Sequence, residues 1–232
     1  HAMAGRRPTQ LGLRFFVDAL TSAVADADKN KRVSVLEAFN FARAEVARAY
    51  ERQGLLATEP DPGAASVLGQ RFDAAVLARL AELDLAPANY NGAGQIVAAG
   101  DLVALAALSA EAPRGTRVVP LQVAGAFHTR YMEPARAALA TAVDELVASG
   151  AVQDPTTTLW TNSDGTTVAS GNRALELLVG QVASPVRWDL CMQSFADSGI
   201  TGLVELTPGG TLVGLAKRAL RGVPAVAVKT PD

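Results

Sequence analysis

Imidazole chemistry is scarce in this chain. Its 232 residues include two histidines, His1 and His128. The stretch His1-Ala2-Met3 reads as a tag-cleavage remnant ahead of a start methionine, which leaves any histidine chemistry to His128. A lone histidine is either a satisfied structural side chain or a general base beside a nucleophile, and the residue type alone leaves both open. Cys191 is the single cysteine, so an internal disulfide and a cysteine-based zinc site are excluded. A second cluster is rich in oxygen ligands. Asp26, Asp28, Asn30, Ser34 and Glu37 fall at positions 1, 3, 5, 9 and 12 of an EF-hand loop, and Arg32 would give its carbonyl at position 7. Lys31 stands at position 6, where the turn wants the positive φ of glycine. The loop is therefore either a Ca2+ site or an empty brace between helices.

These groups need elements to hold them. Leu13, Phe16, Val17, Leu20 and Val24 recur at helical spacing, as do Leu36, Phe39, Val46 and Tyr50, which predicts a helical hairpin around the loop. Thr58-Glu59-Pro60-Asp61-Pro62-Gly63 ends it, because two prolines block helix continuation. Beyond it, strands and helices alternate. Strands are expected at 65–68, 86–91, 95–100 and 116–123, with helices at 72–83 and 102–108, the β-α-β-β-α-β order of a ferredoxin-like unit. A long amphipathic helix is expected at 132–148. Strands at 157–160, 202–206 and 225–228 then alternate with helices at 173–182, 188–198 and 211–220, and imply a parallel sheet. The fold class is α/β.

Composition narrows the function. Hydrophobic residues make up 49% and charged residues 19%, which supports a core and argues against disorder along the whole chain. A net charge of -2 gives no electrostatic footprint for nucleic acid. Apolar runs are short, so no membrane span is expected, and no signal peptide is visible; a reduced, cytoplasmic setting follows.

Three stretches carry a family resemblance. They are Asn89-Tyr90-Asn91-Gly92-Ala93-Gly94-Gln95 running on to Gly100, then Val123-Ala124-Gly125-Ala126-Phe127-His128-Thr129, and finally Gln181 to Trp188 followed by Pro208-Gly209-Gly210-Thr211-Leu212 and Leu215 to Arg218. In order and spacing, residues 63–232 resemble the malonyl-CoA:acyl carrier protein transacylases. The resemblance implies a serine–histidine pair that moves malonyl from coenzyme A to the carrier's phosphopantetheine thiol by covalent catalysis, without a required cofactor. His128 matches the catalytic histidine. Asn91, Gln95, Phe127 and Arg187 match positions near substrate, with Phe127 leaving little room for a methyl branch on the acyl group. The alternatives are a turn held by Asx and glycine chemistry for Asn91 and Gln95, a core aromatic for Phe127 and a helix-terminal charge for Arg187. Ser184 to Trp188 match a loop whose backbone carbonyl orients the histidine. A basic surface formed by residues such as Arg130, Arg136, Lys217 and Arg218 would suit an acidic carrier protein; a solvated face is the alternative.

The same resemblance exposes a gap. The family's nucleophile sits in a Gly-His-Ser-x-Gly elbow, and no such elbow occurs in this sequence. Ser66 and Ser163 lie in a strand and a turn. The expected organisation is residues 1–60 as a helix-loop-helix segment, 63–123 as the ferredoxin-like subdomain and 124–232 as the C-terminal part of a parallel-sheet acyltransferase domain. Residues 1–60 do not resemble the family's N-terminal half. The function implied is transacylase-type, inactive alone for want of the serine; the alternatives are a non-catalytic module that docks acyl carrier protein and one that binds calcium. An uncovered sheet edge would favour a homo-oligomer.

Overall fold

The structure, a computed structural model, describes residues 63–69, 74–121, 123, 125–206 and 209–228, with positions 19, 24–26, 29, 41 and 45. Most of the 26–37 loop and of the hairpin around it lies outside the described residues. No helix among the described residues is long and apolar enough to cross a membrane.

The first region is built on strands β1 (Gly63–Leu68), β2 (Ala86–Gly92), β3 (Gln95–Gly100) and β4 (Arg117–Leu121). Helix α1 (Ala74–Glu82) joins β1 to β2, and α2 (Leu102–Ala110) joins β3 to β4. The four strands form one antiparallel sheet in the order β2-β3-β1-β4. Strand alternation separates its two faces. Ala65, Val67, Ile96 and Ala98 point to one side and pack with Val76, Leu80, Leu105 and Leu108 of the two helices. Ala64, Ala88 and Ala99 point to the other with Ala126. Small side chains on this second face leave room above it. Asp101 starts α2 by accepting from the backbone N–H groups of Val103 and Ala104 at 2.8 and 3.4 Å.

The second region begins with a 3-10 turn at Arg130–Met132 that runs into α3 (Glu133–Ala148). Strands β5 (Leu159–Trp160) and β6 (Thr167–Val168) precede α4 (Gly171–Gln181) and α5 (Trp188–Asp197). Then come β7 (Leu203–Glu205), α6 (Thr211–Ala219) and β8 (Ala225–Ala227). The expected parallel pairing holds for β7 and β8, whereas β5 pairs antiparallel with the unforeseen β6. A tight turn explains this departure. Asp164 accepts from the Thr166 N–H and hydroxyl at 3.0 and 2.7 Å, and Gly165 takes φ 75°. A Cβ on Gly165 would lie 2.5 Å from the Leu190 carbonyl carbon, so α5 closes on the turn only because that residue is glycine.

Met192, Leu215, Ala216 and Leu220 form this region's core, with Trp188, Phe195 and Leu203 against it. Cys191 is buried and its thiol donates to the Thr161 carbonyl at 3.4 Å. Burial, with Asp189 and Asp164 nearby, pushes this thiol up to about 11. Glu205 is only 7% exposed. Its carboxylate accepts from the N–H groups of Gly210, Leu212 and Val213 at 2.8, 2.9 and 2.8 Å, and so caps α6. Burial raises its pKa, but the backbone donors of Val213, Leu212, Gly210 and Thr211 outweigh this and the net shift is downward.

Candidate active site

The small-residue face of the sheet opens into a cleft of about 410 Å³ between the two regions. Sheet residues Ala64, Ala88, Val97 and Leu121 form its floor, and Trp188, Leu212 and Leu215 form part of the opposite wall. Polar groups at its border come from Asn89, Asn91, His128, Asn162 and Thr211. A mainly apolar pocket with a few convergent polar groups is the usual form of a small-molecule site.

His128 sits in this border at φ 62°, a left-handed conformation uncommon for a residue with a Cβ. Its backbone N–H donates to the Val182 carbonyl at 3.1 Å. Its ring Nδ1 lies 2.8 Å from the Gln181 carbonyl oxygen. A carbonyl only accepts, so Nδ1 carries the proton. The neutral ring then keeps its lone pair on Nε2, the form a general base needs. The residue after it is also tied down: the buried Thr129 hydroxyl donates to the Ala126 carbonyl at 2.7 Å.

The orienting carbonyl therefore belongs to Gln181, just before the Ser184–Trp188 loop from which it was expected. That loop acts one step removed. The Gln181 side-chain amide donates to the Ser184 and Pro185 carbonyls at 2.8 and 3.0 Å. Val186 then pairs with β2, donating to the Ala88 carbonyl and accepting from the Tyr90 N–H, each at 2.8 Å.

The other expected site residues divide. Asn91 and Phe127 line the cleft, and Phe127 is 42% exposed. Gln95 and Arg187 are not among the lining residues. Gln95 donates to the Ser66 hydroxyl at 3.1 Å and accepts from Arg218 at 2.7 Å, linking the sheet to α6. Arg187 makes a bidentate pair with Asp189 at 2.9 and 2.8 Å and lies 4.8 Å over the Tyr90 ring. Its hydrogen bonds to Asp189 hold the guanidinium above its ordinary pKa, against desolvation. Of the expected basic surface, Arg130 pairs with Asp84 and Arg136 with Glu133.

Asn162 is a cleft residue that sequence reasoning missed. Its signal was weak, because it lies in a polar turn; its carbonyl accepts the Arg187 N–H at 2.7 Å. Of the expected metal ligands, Asp28, Asn30, Arg32, Ser34 and Glu37 lie outside the described residues, and Asp26 is described and partly exposed. Among the described residues no group of three or more histidine, cysteine, aspartate or glutamate side chains is placed to hold a metal ion.

No protein-family model matches the chain. Individual proteins do. The chain is 50% identical over 184 residues to the malonyl CoA-acyl carrier protein transacylase of Mycobacterium tuberculosis, covering 79% of this chain and 59% of that protein. It is 46% identical over 202 residues to the transacylase of Mycolicibacterium smegmatis, covering 85% of this chain and 68% of that protein. The crystal structure of MCAT from Mycobacterium tuberculosis superimposes with a TM-score of 0.64 at 47% identity, over 84% of this chain and 62% of that one. The chain thus spans 59% of the length of the tuberculosis relative.

Proposed function

We infer the function from one premise: the chain belongs to the malonyl CoA-acyl carrier protein transacylase family. Within that family it carries the histidine of a serine–histidine pair. The reaction is malonyl transfer from coenzyme A to an acyl carrier protein in fatty acid synthesis. The single observation that carries this reading is the 2.8 Å contact from His128 Nδ1 to the Gln181 carbonyl at the edge of the cleft.

In the reaction, a serine hydroxyl attacks the malonyl thioester carbonyl while His128 Nε2 takes its proton. The carbon–sulfur bond breaks, and the same proton leaves with the coenzyme A thiol. The carrier's thiol then gives its proton to His128 and attacks the malonyl–serine ester, and serine leaves with that proton. Asn91 and Asn162 offer amide donors to the acyl group, and Phe127 crowds its α-carbon. Gln95 and Arg187 support the walls through Ser66, Arg218, Asp189 and Tyr90. The elbow serine is not in this sequence, so the chain by itself lacks the covalent route and its activity is expected to be negligible.

Residues 63–123 are read as a ferredoxin-like subdomain. The β-α-β-β-α-β order and the strand order β2-β3-β1-β4 support this. Residues 124–232 are read as the C-terminal part of an acyltransferase domain in a cytoplasmic protein; the match to the smegmatis relative covers 85% of this chain and so extends back into residues 1–60. Exposed Val204 and Val226, paired across the two-stranded parallel sheet, support self-association at that sheet.

Labelled malonyl-CoA tests the reading. The chain should acquire no covalent label, yet malonyl-CoA should shift the NMR signals of His128, Asn91 and Asn162. A stable label would overturn the absence of a nucleophile. Unmoved signals at millimolar ligand would overturn the substrate cleft and leave carrier-protein docking, scored with acyl carrier protein in the same assay.

A further inference from the structure

We propose that the side chain of Gln181 is a positioning residue that sets the tautomer of His128, a role resting on the reading of His128 as the base. Gln181 closes α4 and is 7% exposed. Its amide reaches forward to the Ser184 and Pro185 carbonyls at 2.8 and 3.0 Å. These bonds cross-link a turn that is anchored at one end to α4 and at the other to β2 through Val186. Between the anchors, the Gln181 and Val182 carbonyls both receive His128, one at the ring and one at the backbone.

Two further observations favour a role for the amide donors over simple space-filling. The Gln181 Oε1 atom is buried without a hydrogen-bond partner. An apolar side chain of similar length would avoid that cost, so the amide's presence is explained by what its NH2 group does. His128 meanwhile occupies a left-handed conformation at φ 62° that its own backbone does not prefer. Its placement therefore depends on the bonds it donates to the Gln181 and Val182 carbonyls. Releasing the turn would let the Gln181 carbonyl rotate away, and Nδ1 would lose the acceptor that keeps its proton.

The test reads the ring directly. Imidazole 15N shifts of the neutral ring should give one tautomer in the parent chain, protonated on Nδ1, with His128→Gln identifying the signal. Gln181→Met keeps the length but has no donors, and should lose the single-tautomer pattern. Gln181→Asn keeps the donors on a shorter arm and should give an intermediate pattern. Gln193→Met on the exposed face of α5 should leave the pattern unchanged. A folded Gln181→Met chain with the parent pattern overturns the proposal. So does unfolding of both Gln181 variants by circular dichroism, since the amide would then carry the fold and not the ring. The readout is independent of malonyl-CoA, so it fails separately from the transacylase reading.

Discussion

The two regions on either side of the cleft solve burial differently. In the first, four paired strands satisfy one another's backbone, and two helices cover one face with Leu80 and Leu108 at 1% and 0% exposure. In the second, the sheets have two strands each among the described residues, and Val204, Leu206 and Val226 are 65%, 75% and 60% exposed. Side chains there take over the work of a ladder: Glu205 caps α6, and Gln181 ties the turn after α4. The difference teaches where polar groups are left to face the cleft. A fully paired antiparallel ladder leaves few unpaired polar groups on its face. The looser region supplies aimed carbonyls and ring nitrogens.

The comparison breaks most visibly at the cores. Leu80→Ala should cost about 2–5 kcal/mol in urea unfolding, as buried leucine truncations do, whereas Val204→Ala should stay within about 0.5 kcal/mol. Equal costs would mean that the β7 face is covered in solution. The next effect concerns the cap. Glu205→Ala leaves three backbone donors without their carboxylate and should cost about 1–3 kcal/mol. The pKa of Glu205 is lowered in the fold. Its contribution is therefore fully present above the unfolded value of 4.5 and is lost as pH falls through the folded value. A pH series of unfolding midpoints should show this acid loss in the parent and not in Glu205→Gln.

A smaller effect joins the two regions. Arg218 and Gln95 bridge them at 2.7 Å on an exposed edge. A double-mutant cycle with Arg218→Ala and Gln95→Ala should return a coupling of about 0.5 kcal/mol, and a value near zero would mean that the bridge is broken in water. Calcium should act least. With Lys31 at the glycine position of the loop, calorimetry should be nearly flat at low millimolar calcium, and Lys31→Gly should restore measurable heat.

Local pattern carried much of this architecture. The strand expected at 95–100 is Gln95–Gly100, and the helix expected at 188–198 is Trp188–Asp197. His128 was singled out by the motif its neighbours form, and it lies at the border of the cleft. What stayed hidden depended on contacts distant in sequence. The carbonyl that orients His128 comes from 53 positions away, and a backbone carbonyl has no residue-type signature. Gln95 looked directed at the cleft, yet its partner Arg218 lies 123 positions on. The two residues of β6 are too few to show a period.

Cys191 has a practical consequence. With its thiol pushed up to about 11, roughly one molecule in ten thousand holds the thiolate at neutral pH, and the sulfur is also shut away from reagents. Alkylation then requires molecules in which the burial of Cys191 is lost. The labelling rate of this one thiol thus counts how often the packing around α5 opens.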